Sequence, residues 1–130
     1  GAVDRLRSDP VPDEPLVMAA ADPANPYGAV LGWPESPAGG RPSRTAGAYV
    51  VLWRGAPILF LEKGGRTVLT FSSSPDAVRA AAAAVTRIAE RNRRLTIETV
   101  DASPAAHSDL GRALSELGFA PSYRGLAFRR

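Results

Sequence analysis

The chain has no cysteine, one histidine (His107), one lysine (Lys63) and one methionine among its 130 residues. The lack of cysteine excludes disulfides and thiolate metal sites, and agrees with a reducing compartment. With a single histidine, a His-based metal site would need several carboxylates, and a Ser-His-Asp arrangement would have to recruit His107. That residue sits in Ala105-Ala106-His107-Ser108-Asp109, just ahead of a helix start, where a capping or solvent-exposed role accounts for it. No apolar run approaches about 18 residues and no signal-peptide pattern is visible, so the expectation is a cytoplasmic protein with no membrane partner. There is no Gly-x-x-x-x-Gly-Lys-Ser/Thr loop to cradle phosphates and no Asp-Glu-x-His box. No catalytic, cofactor-binding or metal-ligating residue is therefore assigned.

What the chain has in excess is arginine, with fifteen Arg beside Lys63. The charge is divided unevenly. Residues 1–40 carry two Arg against six acids, while residues 41–130 carry fourteen Arg and Lys against seven, so the later part is at +7 where the whole is at +3. A basic surface of that size attracts polyanions and speeds encounter with them. A GC-rich coding sequence would write the same Arg and Ala excess, and composition alone does not separate the two.

At this length one domain is the expectation, with enough chain to bury a core without staples. Residues 1–15, acidic and Pro-rich, read as a solvated lead-in, and residues 16–130 as the folded domain. Leu16-Val17-Met18-Ala19-Ala20 reads as a short buried strand, and Glu35 to Arg44, with two Gly and two Pro, as a loop. Three β-rich runs follow, Ala48–Trp53, Ile58–Glu62 and Thr67–Phe71, joined by Arg54-Gly55-Ala56-Pro57 and by Gly64-Gly65. Tight glycine turns between such runs predict an antiparallel meander. The run Ile58-Leu59-Phe60-Leu61 is apolar on both faces and should be central and covered.

Ser74-Pro75-Asp76 reads as a helix start, with an N-cap, a proline at the first helical position and an acid on the positive end of the dipole. Val78, Ala81, Ala82, Val85 and Ile88 then share one face. Leu95 to Val100 reads as a strand. A second helix is expected from Ser108, with Leu110, Ala113, Leu114 and Leu117 inward, stopped by Gly118 with Phe119 packing back on Leu114. Runs at Ala120–Tyr123 and Leu126–Arg129, broken by Gly125, should return to the sheet. The fold class is thus α+β: a mostly antiparallel sheet with two helices packed on one face.

The most distinctive segment is Ala21-Asp22-Pro23-Ala24-Asn25-Pro26-Tyr27-Gly28-Ala29, continuing through Val30-Leu31-Gly32-Trp33-Pro34. Each proline fixes its own φ and pushes the residue before it toward extended geometry. Asp22 and Asn25 can each accept a bond from the backbone N–H two residues on. Together with Ala46-Gly47-Ala48-Tyr49-Val50-Val51-Leu52, Leu59-Phe60-Leu61-Glu62-Lys63-Gly64-Gly65-Arg66, Leu69-Thr70-Phe71, Gly118-Phe119-Ala120-Pro121 and Arg124-Gly125-Leu126, this string resembles the C-terminal module of the large helicase-related (Lhr) family of bacterial superfamily 2 DNA helicases. The resemblance covers roughly residues 16–130. It implies an accessory domain of an ATP-dependent 3′ to 5′ DNA helicase acting in DNA repair, with ATP and Mg²⁺ used by a motor in another part of the polypeptide. Implied partners are single-stranded or tailed DNA through the parent protein, other modules of the same polypeptide, and a second copy in a homo-oligomer.

Arg66, Arg91, Arg93, Arg94, Arg124, Arg129 and Arg130 are the residues expected to contact DNA phosphates, giving a salt-dependent, sequence-independent affinity. Arg87, Arg91, Arg93 and Arg94 also suit the negative end of the first helix. Among the aromatics, Tyr27, Trp33, Tyr49, Trp53 and Tyr123 can stack on bases. Tyr27 and Trp33 are singled out, with Asp22 and Asn25, as an interdomain or ligand loop, because a Pro-fixed loop does not easily hide both rings. Gly64-Gly65-Arg66 reads as a hairpin turn before it reads as a phosphate nest.

Two alternatives differ in class. A nucleobase-processing site of the DNA-glycosylase kind would need a positioned carboxylate and a pocket for a flipped base, and the acids available to it are Asp101 and Asp109. They would have to lie roughly 5–9 Å apart for paired acid/base work, whereas a strand end and a first helical turn explain them without catalysis. The other alternative is a purely structural interdomain or oligomerisation module.

Overall fold

The computed structural model describes residues 14–27, 31–34, 42 and 46–129. Most of the acidic lead-in, the expected loop of residues 35–44 apart from Pro42, and Arg130 lie outside the described residues. The described elements are β1 (Leu16–Ala19), β2 (Tyr49–Trp53), β3 (Ala56–Leu61), β4 (Thr67–Thr70), α1 (Pro75–Asn92), β5 (Arg94–Ile97), β6 (Thr99–Val100), β7 (Ser103–Pro104), a 3-10 turn (Ala105–His107), α2 (Asp109–Glu116), β8 (Ala120–Pro121) and β9 (Leu126–Arg129).

Strands β1 to β4 form the expected antiparallel meander, extended by β6 and β7 into a six-stranded sheet of order β1-β2-β3-β4-β6-β7. The pairing of β4 with β6 is parallel, as follows when an α-helical crossover joins two strands of one sheet. A smaller sheet of order β5-β9-β8 sits beside it. The α+β expectation holds, with the returning C-terminal runs in their own sheet and not in the large one.

Three local details differ from the sequence reading. The expected buried strand at Leu16 is the outermost strand of the large sheet, and Leu16 is 53% exposed. Leu95 to Val100 is split at Glu98, whose N–H and that of Thr99 both donate to Arg66 O, so β5 joins one sheet and β6 the other. Leu117 is not inward; it caps α2 and is 45% exposed, while Phe119 takes the buried place and donates its N–H to Leu114 O.

Strand register sorts the core into two layers. Tyr49, Leu61, Val68 and Val100 align in one row, with Val51 and Leu59 in the next, and this face packs on Ala81, Val85 and Ile88 of α1. Helix α2 packs on α1 and β9, burying Leu110 and Leu114 in the same cluster. The opposite face carries the row Val50, Phe60 and Leu69. Phe60 and Leu69 cluster with Ala20 and Ala48, and the cover over them is Trp33 with Phe71. Both helix starts are read correctly: Ser74 Oγ accepts from Ala77 N and Ser108 Oγ accepts from Gly111 N. Each satisfies one of the donors a helix N-terminus leaves open.

Candidate nucleic-acid interface

The Pro-fixed loop takes the shape its side chains dictate. Asp22 Oδ1 accepts from Ala24 N at 2.8 Å and Asn25 Oδ1 accepts from Tyr27 N at 3.0 Å, the two turns expected two residues on. Asn25 is 1% exposed, and its Nδ2 also donates to Ala20 O at 2.8 Å, tying the loop to the end of β1. The rings are less free than expected. Trp33 stacks on Phe71 at 6.2 Å, meets Phe60 edge-on at 5.7 Å and touches Tyr27 at 5.8 Å, and both Trp33 and Tyr27 are half-buried. Among the described residues no helix packs on the apolar Phe60 face of the sheet and Trp33 covers it with Phe71, so these aromatics are largely occupied within the fold.

The arginines divide between surfaces. Arg66, following the β3–β4 turn, Arg94, opening β5, and Arg124, in the β8–β9 turn, line one groove of about 400 Å³. Its other walls include Thr96, Glu98, Ser122, Tyr123, Ala127 and Phe128. All three guanidinium-bearing residues are exposed, and the ion pairs among the described residues, Arg79–Asp76, Arg87–Glu14 and Arg112–Asp109, involve none of them. Among the described residues, Glu98 is the only acid on the groove wall. Arg93 precedes Arg94 directly, in a left-handed conformation (φ +69°) that caps α1 and turns the chain into β5. Strand register sets Arg129 opposite Arg94.

Arg91 belongs elsewhere. It lines a separate cavity of about 380 Å³ with Arg87, Glu14 and Leu16, beside the outer strand β1. There Arg87 donates to Pro15 O and pairs with Glu14. The Gly64-Gly65 turn is an ordinary hairpin closure: both glycines have positive φ, and Gly65 N donates to Glu62 O at 2.9 Å, so that donor is already used by the turn.

The acids considered for nucleobase chemistry are engaged apart from each other. Asp101 accepts from Thr70 N at 2.8 Å and from Thr70 Oγ1, bracing the strand end of β4, whereas Asp109 lies exposed in the first turn of α2 and pairs with Arg112. Neither lines the arginine groove. His107 ends the 3-10 turn at an exposed position. Groups of three or more His, Asp or Glu able to hold a metal ion do not occur among the described residues.

The residue that sequence reasoning passed over is Tyr123. It was one aromatic of five; in the structure it is 95% exposed, at the tip of the Ser122–Gly125 turn and on the groove wall. The available signal was its position between Pro121-Ser122 and Gly125, turn residues that leave a ring between them no strand face to bury against.

No protein-family model matches the chain. It is 43% identical, over 143 aligned positions that take in 98% of its length, to a Mycolicibacterium smegmatis protein named Lhr helicase/probable uracil glycosylase. It is 35% identical over 117 positions, 86% of its length, to the Escherichia coli protein named Lhr helicase/uracil glycosylase. The chain covers 10% and 8% of those two proteins respectively, about a tenth of their length.

Proposed function

We propose, for a chain that belongs to the Lhr helicase family and is a C-terminal module of it, the role of an accessory domain that adds a sequence-independent DNA contact to a helicase acting in DNA repair. In this reading the motor that translocates 3′ to 5′ with ATP and Mg²⁺ lies in other parts of the polypeptide. The module packs against those parts and holds a passing strand by its backbone.

The observation that carries the reading is the convergence of Arg66, Arg94 and Arg124 on one groove from three separate turns and strand ends, none in an ion pair among the described residues. Three like charges brought together with a single acid, Glu98, on the same wall still repel one another, and a polyanion relieves that repulsion while releasing its own counterions. Arginine also matches phosphate oxygens in a two-pronged geometry that lysine lacks. Three phosphate contacts on a single strand correspond to a slope of log K against log salt of roughly −2, from about 0.7 per contact.

Titrating a labelled single-stranded oligonucleotide with the chain between 50 and 200 mM salt tests this. The expected result is that slope, reduced by roughly 0.7 in each of Arg66→Gln, Arg94→Gln and Arg124→Gln. Binding that is independent of salt, or unchanged in all three variants, would refute the DNA contact and leave packing against neighbouring modules as the role.

A further inference from the structure

We infer that the arginine groove receives an unpaired nucleotide, with Tyr123 as the platform on which its base stacks, so that the module prefers single-stranded to duplex DNA. The inference rests on the DNA-contact reading above and assigns that site its ligand class.

Four exposed large apolar side chains occur among the described residues, and Tyr123 is far the most open of them. The ring has no place to retreat. Beneath the turn, Leu126 and Phe128 fill the core face of β9, and Phe128 already packs against Phe119 with ring centroids 5.3 Å apart. The turn itself is tightly closed: Ser122 N donates to Gly125 O at 2.7 Å, Gly125 N donates to Ser122 O at 3.2 Å, and Ser122 Oγ accepts from Arg124 N at 3.3 Å. Gly125 anchors it against β5, because a Cβ there would lie 2.1 Å from Ile97 O. An aromatic held out on a rigid turn loses little freedom when something stacks on it.

The surroundings select the partner. The Arg124 guanidinium sits 5.8 Å from the Tyr123 ring centroid, and Arg66 and Arg94 line the same groove. An aromatic interleaved with cations is the arrangement that reads a strand without regard to sequence: π-faces take the bases and guanidinium groups take the backbone. Bases inside a duplex are stacked on one another and offer no free face to a side chain, so the ring distinguishes an unpaired strand from a paired one. The groove volume of about 400 Å³ lies in the range of pockets that enclose a small organic ligand.

The test uses the 130-residue chain with three labelled probes of equal length: single-stranded oligothymidine, the same backbone with abasic sites throughout, and a blunt duplex. The chain should bind oligothymidine more tightly than either other probe. Tyr123→Ala should weaken oligothymidine binding by about 5- to 150-fold while leaving the abasic probe unchanged, and Tyr123→Phe should retain the parent affinity. Circular dichroism checks that both variants fold. Equal affinity of the parent chain for oligothymidine and abasic strands overturns the inference, as does a duplex bound as tightly as the single strand. If Arg66→Gln and Arg94→Gln weaken both single strands and Tyr123→Ala weakens neither, the phosphate contact survives and Tyr123 is a surface for a protein neighbour instead. If no probe binds at low salt, the DNA-contact reading fails and takes this inference with it.

Discussion

Replacing Gly125 by alanine should unfold the chain at a markedly lower temperature and blunt its affinity for a single strand. Gly125 has φ +155°, a region closed to residues with a side chain, and a Cβ there would stand 2.1 Å from Ile97 O and 2.9 Å from Glu98 Cα. Forcing a non-glycine residue into such a conformation costs about 1–3 kcal/mol. The contact adds to this, because a carbon and a carbonyl oxygen need about 1 Å more room, and neither strand can move freely. Ile97 is paired to Leu126, the next residue along, and both are fully buried. Overpacking of that kind costs about a further 1–3 kcal/mol, so the total spans about 2–6 kcal/mol and centres on about 4 kcal/mol. In a domain of this size that is a fall of roughly 10–15 °C in Tm. Gly64→Ala is the matched control. Its φ is +89° but open space surrounds it, so only the conformational part remains, about 1–2 kcal/mol. Thermal unfolding followed by far-UV circular dichroism measures both. If Gly125→Ala unfolds no earlier than Gly64→Ala, the close approach of the two strands is not what fixes this turn. Below the transition, the displaced tip should still weaken oligothymidine binding, since Tyr123 and Arg124 ride on it.

Gly111 poses the opposite expectation from its helix position. Alanine in a helix gains about 1 kcal/mol over glycine, yet a Cβ at Gly111 would sit 1.9 Å from Ala105 O, an oxygen that already accepts from Ser108 N and Ser108 Oγ. Gly111→Ala should therefore lower the stability measured by urea unfolding, by a net of about 1–2 kcal/mol, and a raised urea midpoint would contradict the packing of α2 on the 3-10 turn. Asn25→Ala removes a buried amide that bonds Ala20 O and Tyr27 N; leaving buried partners unsatisfied should cost about 2–3 kcal/mol in urea unfolding. Trp33→Ala strips the cover from Phe60 and Phe71 and should cost about 2–4 kcal/mol with the salt slope of DNA binding intact. A changed slope would place the Pro-fixed loop in the DNA contact.

The regular elements were legible because their signals are local. Ser74-Pro75 states a helix start in two residues, glycine turns separate the meander strands, and Gly118 ends α2 where positive φ is cheap. The Asx turns of Asp22 and Asn25 were legible for the same reason. What a local signal cannot state is which neighbour a strand will find. Leu16 to Ala19 is apolar whether it lies inside or at the rim, and its place at the rim is set by sheet order. Leu95 to Val100 reads as one strand, and its division at Glu98 comes from Arg66 O, about thirty positions earlier, accepting two consecutive N–H groups. The half-burial of Tyr27 and Trp33 likewise depends on a bare sheet face that the loop's own residues do not reveal.

The groove follows from the same distinction between local and distant. Arg66, Arg94 and Arg124 were all nominated, but in a set that also held Arg91, because sequence shows charge without showing which charges meet. They meet for structural reasons that can be named. Arg66 follows a glycine turn whose Gly65 approaches Leu95 so closely that a Cβ would lie 2.4 Å from its Cδ1, which sets the start of β4 against β5. The left-handed cap at Arg93 turns α1 back so that Arg94 opens β5, and Gly125 brings the β8–β9 turn onto the other side of that strand. Arg91, one helical turn earlier than Arg94, is still on α1 and lines the cavity beside β1. Two glycines and one strained arginine, each at a point of close approach, thus decide which cations share a surface. Loosening any of those three turns should therefore lower the affinity of the groove together with the stability of the fold.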